Sequence, residues 1–238
     1  MKLLVVAAEA MEFRGVLARA GAKPLAGDSA CPAPPGVDWA RSAMLGKNDL
    51  LLVANGAGPA WAAAAVDRAS AAFRPDAIVS IGFCGALDEK LDVASVVVAT
   101  EVMGANGRFS AQSPASSLPH HLGVVLTIDH VAQSAAEKRS LRQSGGTAIE
   151  MEAAAVAGRA VELKLPFFCI KAVTDLAGED LANDLNAALR PDGHFDTIRI
   201  LGSVLGSPLS RLPELLRLRS RSIRAACALG DFFADCRF

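Results

Sequence analysis

Apolar positions along the chain come in short continuous blocks, separated by polar, glycine-rich or proline-rich stretches. Residues 3–8, 49–54, 77–82, 96–100, 124–127 and 167–173 form six such blocks, and 146–149 forms a seventh. Blocks of four to eight residues rich in Val, Ile and Leu read as strands buried on both faces. Between them lie longer stretches with helical character, at residues 12–20, 60–73, 135–143 and 153–163. This alternation predicts an α/β fold of one domain over 1–238, with a mixed central sheet covered by helices on both faces. Two segments read as loops, 27–37 with its prolines and 104–119 with its Ser, Gly and Asn. Residues 1–178 are expected to form the core. Residues 179–238 are expected to add a helical extension with breaks near 191–193 and 206–208.

Composition narrows the picture. The 238 residues carry a net charge of −1, with 52% hydrophobic and 21% charged residues. That excludes a disordered chain and gives no basic footprint for nucleic acid. Five cysteines, at 31, 84, 169, 227 and 236, include no CxxC pair, so neither a zinc site nor a redox motif is expected. Glu9 and Glu12 interrupt the first apolar block before it reaches the length of a secretory segment. No apolar stretch approaches the roughly 18–20 residues that span a bilayer. A cytoplasmic protein with reduced thiols is the expectation.

Ligands of such folds sit beyond the carboxyl ends of strands. Gly56-Ala57-Gly58-Pro59-Ala60-Trp61 lies between a strand and a helix, where a dinucleotide fingerprint would be. Trp61 stands where the third glycine is needed, and no acid ends the next strand, so a plain tight turn fits better. Carboxylates follow three separate strands: Glu9 and Glu12, Glu150 and Glu152, and Asp175. One such acid can simply cap a helix. Three strand ends converging on one cleft point instead to paired acid–base chemistry. Glu150 and Glu152 share a face if extended and diverge by about 200° once a helix begins. Glu152, nearer the helix, is the better placed to reach a ligand.

The segment Ala148-Ile149-Glu150-Met151-Glu152-Ala153-Ala154-Ala155 resembles the acid-Met-acid signature of nucleoside phosphorylases and nucleosidases. Pro166 to Asp175 is similar to that family's strand ending in Ser-Asp, and Met11-Glu12, Asn55 to Gly58 and Gly82 to Gly85 follow in the family's order. The resemblance spans roughly residues 1–178 and is nearest to methylthioadenosine/S-adenosylhomocysteine nucleosidases. It implies a nucleoside phosphorylase-like fold, a small nucleoside as substrate, water as co-substrate, no metal or cofactor, and a homo-oligomer such as a dimer. It implies that Asp175 protonates the purine, that Glu12 activates water, and that Glu152 accepts hydrogen bonds from the ribose hydroxyls. Met151 would pack under the sugar, with Glu150 and Thr174 beside these acids. Burial after an apolar strand would keep Asp175 able to donate a proton.

Departures from the family pattern matter. Thr174 replaces Ser and Lys171 stands where Arg is common. Phe83 replaces the Ser that phosphorylases use on phosphate, which favours hydrolysis over phosphorolysis. Phosphorolysis remains the rival, with donors from the Gly56–Gly58 turn; a non-catalytic nucleoside binder is the other. Val131 falls where nucleosidases stack an aromatic on the base. The tail from Leu189 to Gly193 and from Pro208 to Leu218 is similar to hopanoid-associated phosphorylase-like proteins, which implies an adenosyl group on a large apolar lipid as a further substrate. In that tail Arg217, Arg221 and Arg224 share a helix face opposite Leu212, Leu215, Leu216 and Ile223. Packing against the core is the expectation for this helix, with contact to a membrane surface as the alternative.

Overall fold

A computed structural model describes residues 1–20, 34–204 and 208–238, and in it every apolar block is a strand. The strands are β1 (Lys2–Ala7), β2 (Trp39–Leu45), β3 (Asn48–Ala54), β4 (Ala77–Ala86), β5 (Val96–Gly104), β6 (Gly107–Ser110), β7 (His121–Thr127), β8 (Ala148–Glu150) and β9 (Phe167–Asp175). The helices are α1 (Arg14–Arg19), α2 (Pro59–Phe73), α3 (Ala135–Gln143), α4 (Ala153–Glu162), α5 (Leu185–Ala188), α6 (Thr197–Val204) and α7 (Pro208–Asp235).

The sheet is mixed. β1 pairs in parallel with β3 and β4, and β4 in parallel with β9. Pairings of β4 with β8, β8 with β7, β7 with β5, β5 with β9 and β9 with β4 close a five-stranded ring, while β2, β3 and β1 extend from it. Such closure satisfies the backbone groups that open edges would leave bare. It also turns the strand ends inward around one space.

Two strands lie where no block predicted them. β2 carries Arg41 and Ser42 among its apolar residues and pairs antiparallel with β3 at the sheet edge, where one side can stay wet. β6 falls inside the predicted loop 104–119, as the return arm of a hairpin from β5. Residues 27–33 of the other predicted loop lie outside the described residues, as do 205–207 at the second expected break in the extension.

Two apolar layers flank the sheet. Val66 and Ala69 of α2 and Val156 and Ala160 of α4 pack on one side. On the other side Val16 of α1 and Leu229, Phe232 and Phe233 of α7 are buried. The second half of α7 is therefore part of the core. A Cβ on Gly15 would lie 1.8 Å from the Ala226 carbonyl oxygen, so glycine there lets α1 and α7 touch backbone to backbone. The first half of α7 differs, with Leu209, Leu212 and Leu216 exposed. Among the described residues, no helix is long and apolar enough to cross a membrane.

Candidate active site

The strand ends surround a cavity of about 310 Å³, at the lower end of the size of small-ligand sites. Glu12, Phe83, Val131, Glu150, Met151, Glu152, Thr174 and Asp175 all line it. The extension adds Leu181, Leu185, Phe195 and Leu218.

Glu12 sits in a 3-10 turn, Ala10–Phe13, that follows β1. Its Oε2 accepts the Ala8 and Glu9 N–H groups, each at 2.9 Å, and its Oε1 accepts the Phe83 N–H at 2.7 Å. Three donors hold the carboxylate in one position. Burial nevertheless raises its pKa above the usual carboxylate value, the hydrogen bonds and the Lys171 charge offsetting only part of the desolvation.

Glu150 ends β8 with both oxygens occupied. Oε1 accepts from Thr127 Oγ1 (2.5 Å) and the Ala153 N–H (3.0 Å). Oε2 accepts from the Glu152 and Ala153 N–H groups and pairs with Lys171 Nζ at 2.8 Å. Glu150 thus caps the start of α4 and anchors a buried lysine, which leaves it little capacity for a ligand. Glu152, two residues on, turns the other way. Its Oε1 accepts the Gly58 N–H at 2.8 Å, across 94 residues of sequence. Burial and the nearby Glu150 charge push its pKa up to about 8.

Lys171 is 1% exposed in the middle of β9. Burial alone would lower its pKa, but Glu150 and the neighbouring acids outweigh that and raise it. One lysine thus serves three buried carboxylates, and this wall of the cavity is under-neutralised.

On the opposite wall Asp175 ends β9. Lys138 of α3 donates to its Oδ2 at 2.5 Å, and Thr174 Oγ1 lies 3.1 Å from its Oδ1. The sequence reading left Asp175 to burial alone; the structure sets a buried cation against it. Lys138 is fully buried, and its Nζ also donates to the Leu176 carbonyl at 2.9 Å.

The segment Gly82 to Gly85 separates the two walls, and each glycine makes room for one acid. A Cβ on Gly82 (φ +146°) would lie 2.6 Å from Glu12 Oε1, and one on Gly85 would lie 2.8 Å from Asp175 Oδ2. Phe83 between them lines the cavity. The Val131 backbone is clamped by Asn186, whose Oδ1 accepts the Val131 N–H (2.7 Å) while its Nδ2 donates to the Val131 carbonyl (2.9 Å).

The Gly56–Gly58 turn has no free N–H group to offer an anion. Gly56 donates to Ala8 O, Ala57 to Gly193 O, and Gly58 to Glu152. A turn of the extension around Gly193 lies against it, with a would-be Gly193 Cβ 2.7 Å from Trp61. Among the described residues, no group of His, Cys, Asp and Glu is arranged to hold a metal ion.

Sequence reasoning missed Lys138. A signal was present: Ala135, Lys138 and Leu141 recur every three residues, which places the lysine on the apolar face of an otherwise polar helix. The lining residues of the extension carried no such signal, because only packing brings residues 181–218 over the cavity.

The family model of the phosphorylase superfamily matches residues 40–117 and 107–192. The chain is 29% identical over 201 residues to the 5'-methylthioadenosine/S-adenosylhomocysteine nucleosidase of Colwellia psychrerythraea, covering 68% of this chain and 83% of that protein. Its fold is similar to the Streptococcus pneumoniae MTA/SAH nucleosidase in complex with 8-aminoadenine, with a TM-score of 0.68, 18% identity and coverage of 99% and 98% of the two chains. It is similar also to the futalosine hydrolase of Helicobacter pylori, at a TM-score of 0.68, 14% identity and coverage of 98% and 95%.

Proposed function

Since the chain belongs to the phosphorylase superfamily, we propose that it is a purine-nucleoside N-ribosyl hydrolase, releasing adenine from 5'-methylthioadenosine- and S-adenosylhomocysteine-like substrates. The observation that carries hydrolysis over phosphorolysis is the charge of the cavity. Its lining includes Glu9, Glu12, Glu150, Glu152 and Asp175 and, among the described residues, no lysine or arginine. A phosphate dianion would find acids on several sides and no bidentate guanidinium donor in this lining. Water meets no such barrier.

The chemistry follows the two-carboxylate logic of glycoside hydrolysis. As the C1'–N9 bond breaks, its electron pair goes to the purine and Asp175 gives a proton to N7. Glu12, held by three N–H donors, takes a proton from the water that attacks C1'. The proton gained at Glu12 and the one lost from Asp175 balance through solvent after product release. Glu152 keeps one oxygen on Gly58 and offers the other to the ribose hydroxyls. Glu150 and Lys171 act from behind by holding α4 and Glu152 in place. The relative of Colwellia psychrerythraea, named for both methylthioadenosine and S-adenosylhomocysteine, supports this substrate class.

One observation favours a second substrate with a bulkier 5' group. Leu181, Leu185, Phe195 and Leu218 form an apolar side of the cavity. Such a wall suits an adenosyl group on a long alkyl or lipid chain.

Chromatography of adenine released from methylthioadenosine, S-adenosylhomocysteine, adenosine and 5'-alkyl adenosines, with and without phosphate, tests both readings. Release without phosphate, unchanged by its addition, is expected. A strict phosphate requirement would overturn hydrolysis. Rates that climb with alkyl length by about fourfold per methylene, matching ~0.8 kcal/mol of burial, would favour the lipid-like substrate; flat or falling rates would remove it.

A further inference from the structure

Lysine is the least expected occupant of the space behind a general acid. An unpaired buried ammonium costs several kcal/mol, so one with no exposure is held there by its partners. Lys138 has three: Asp175 Oδ2 at 2.5 Å, the Leu176 carbonyl at 2.9 Å and, more distantly, the Glu179 carbonyl at 3.5 Å. The other charges nearby are already engaged. The Glu179 carboxylate is taken by Arg221 of α7 at 2.6 and 2.9 Å. Among the described residues Lys138 is the one cation in ion-pair contact with Asp175.

Resting on the hydrolase reading above, we propose that Lys138 is a positioning residue that makes Asp175 donate from one defined oxygen and stabilises the carboxylate left behind. With Oδ2 accepting from the ammonium, the transferable proton belongs on Oδ1. Thr174 Oγ1, beside Oδ1, has a second acceptor in the Cys84 carbonyl at 3.3 Å. Its hydroxyl hydrogen can therefore turn away while Oδ1 carries the proton. When that proton passes to N7 and the C1'–N9 electron pair goes to the base, negative charge appears on Asp175 beside a cation already in place. Stabilisation that grows as the charge develops lowers the barrier rather than merely tightening binding. The ammonium itself loses no proton in the step.

The rival role is mechanical: Lys138 could serve only to fasten the 176–179 turn through its two carbonyl contacts. The test compares wild-type protein with Lys138→Met and Lys138→Arg by kcat, KM and thermal melting. Lys138→Met is expected to lose about 100-fold in kcat, the lower range for acid catalysis, with KM within about threefold. Lys138→Arg should restore most of the rate. If Lys138→Met does not fold, Lys138→Gln, which keeps a donor for the carbonyls without the charge, is read the same way. A charge-free variant with near-wild-type kcat, or one whose loss appears in KM rather than in kcat, would overturn the proposal. A wild-type protein that releases no adenine would overturn the hydrolase reading, a result visible before any variant is made.

Discussion

The two walls of the cavity handle charge in opposite ways. On one, three buried carboxylates, Glu12, Glu150 and Glu152, share the single ammonium of Lys171. On the other, one carboxylate, Asp175, has an ammonium of its own in Lys138. Both lysines are almost fully buried, so the contrast is one of stoichiometry rather than exposure. Burial raises the pKa values of Glu12 and Glu152, and a raised pKa makes the Glu12 carboxylate a stronger proton acceptor than an ordinary one. The paired wall is ready to receive negative charge. A reaction that draws a proton from water on one side of a sugar and gives one to a base on the other needs this asymmetry.

The largest expected effect comes from removing the proton at the paired wall. Asp175→Asn should lower adenine release by about 10²–10⁴-fold, the range for a lost general acid, while ligand affinity by calorimetry changes little. Turnover close to wild type in this variant would remove Asp175 from the mechanism.

Next comes the cation of the crowded wall. Lys171→Met leaves three carboxylates without a counter-charge, and urea unfolding should show a loss of about 3–5 kcal/mol, typical of a broken buried pair. A loss below about 1 kcal/mol would mean that protonation of the acids replaces the lysine almost completely.

Glu152→Gln probes the same wall with a milder change. Between pH 4.5 and about 8, folded Glu152 keeps a proton that the unfolded chain has lost. Folding then takes up a proton, so stability falls as pH rises through that window. The amide does not titrate, and its oxygen can still accept from Gly58. The variant should be the more stable protein at pH 7–8 and show a flatter stability profile, while KM rises through the weaker ribose contact. Parallel wild-type and variant profiles from pH 5 to 8 would contradict the raised pKa.

The smallest effect is expected outside both walls. His194 bridges Asp38 at 2.9 Å and Glu9 at 3.1 Å. These bonds raise its pKa above 6.5, so what it contributes is full below that value and is lost as pH rises through the raised one. Because the contact is partly exposed, His194→Ala should cost less than about 1 kcal/mol at pH 6 and almost nothing at pH 8, by thermal melting at the two pH values.

Much of the architecture was legible because burial on both faces writes itself as a continuous apolar run. All seven predicted strands form, and α3 occupies the predicted residues. Sheet-edge pairing left weaker marks. β2 mixes Arg41 and Ser42 with its apolar residues, and β6 is four residues long with a mostly exposed face. Acids placed after strands were visible for the same reason, since a carboxylate that ends an apolar run stands out. Lys138 was not visible, because a lysine in a polar helix looks solvated until the helix is docked.

The sequence by itself determined the alternation of strands and helices, the two apolar layers, and the acids that stand at the strand ends. Those follow from local periodicity and from the cost of burying polar groups, and both are written residue by residue. Only the tertiary structure decided which acid meets which donor: the Lys138 ammonium with Asp175 across 37 residues, the Gly58 N–H with Glu152 across 94, and the Phe83 N–H with Glu12 across 71. The strength of an acid depends on charges and dipoles within a few ångströms, and the closing of the strand ring, not the order of residues, brings those together.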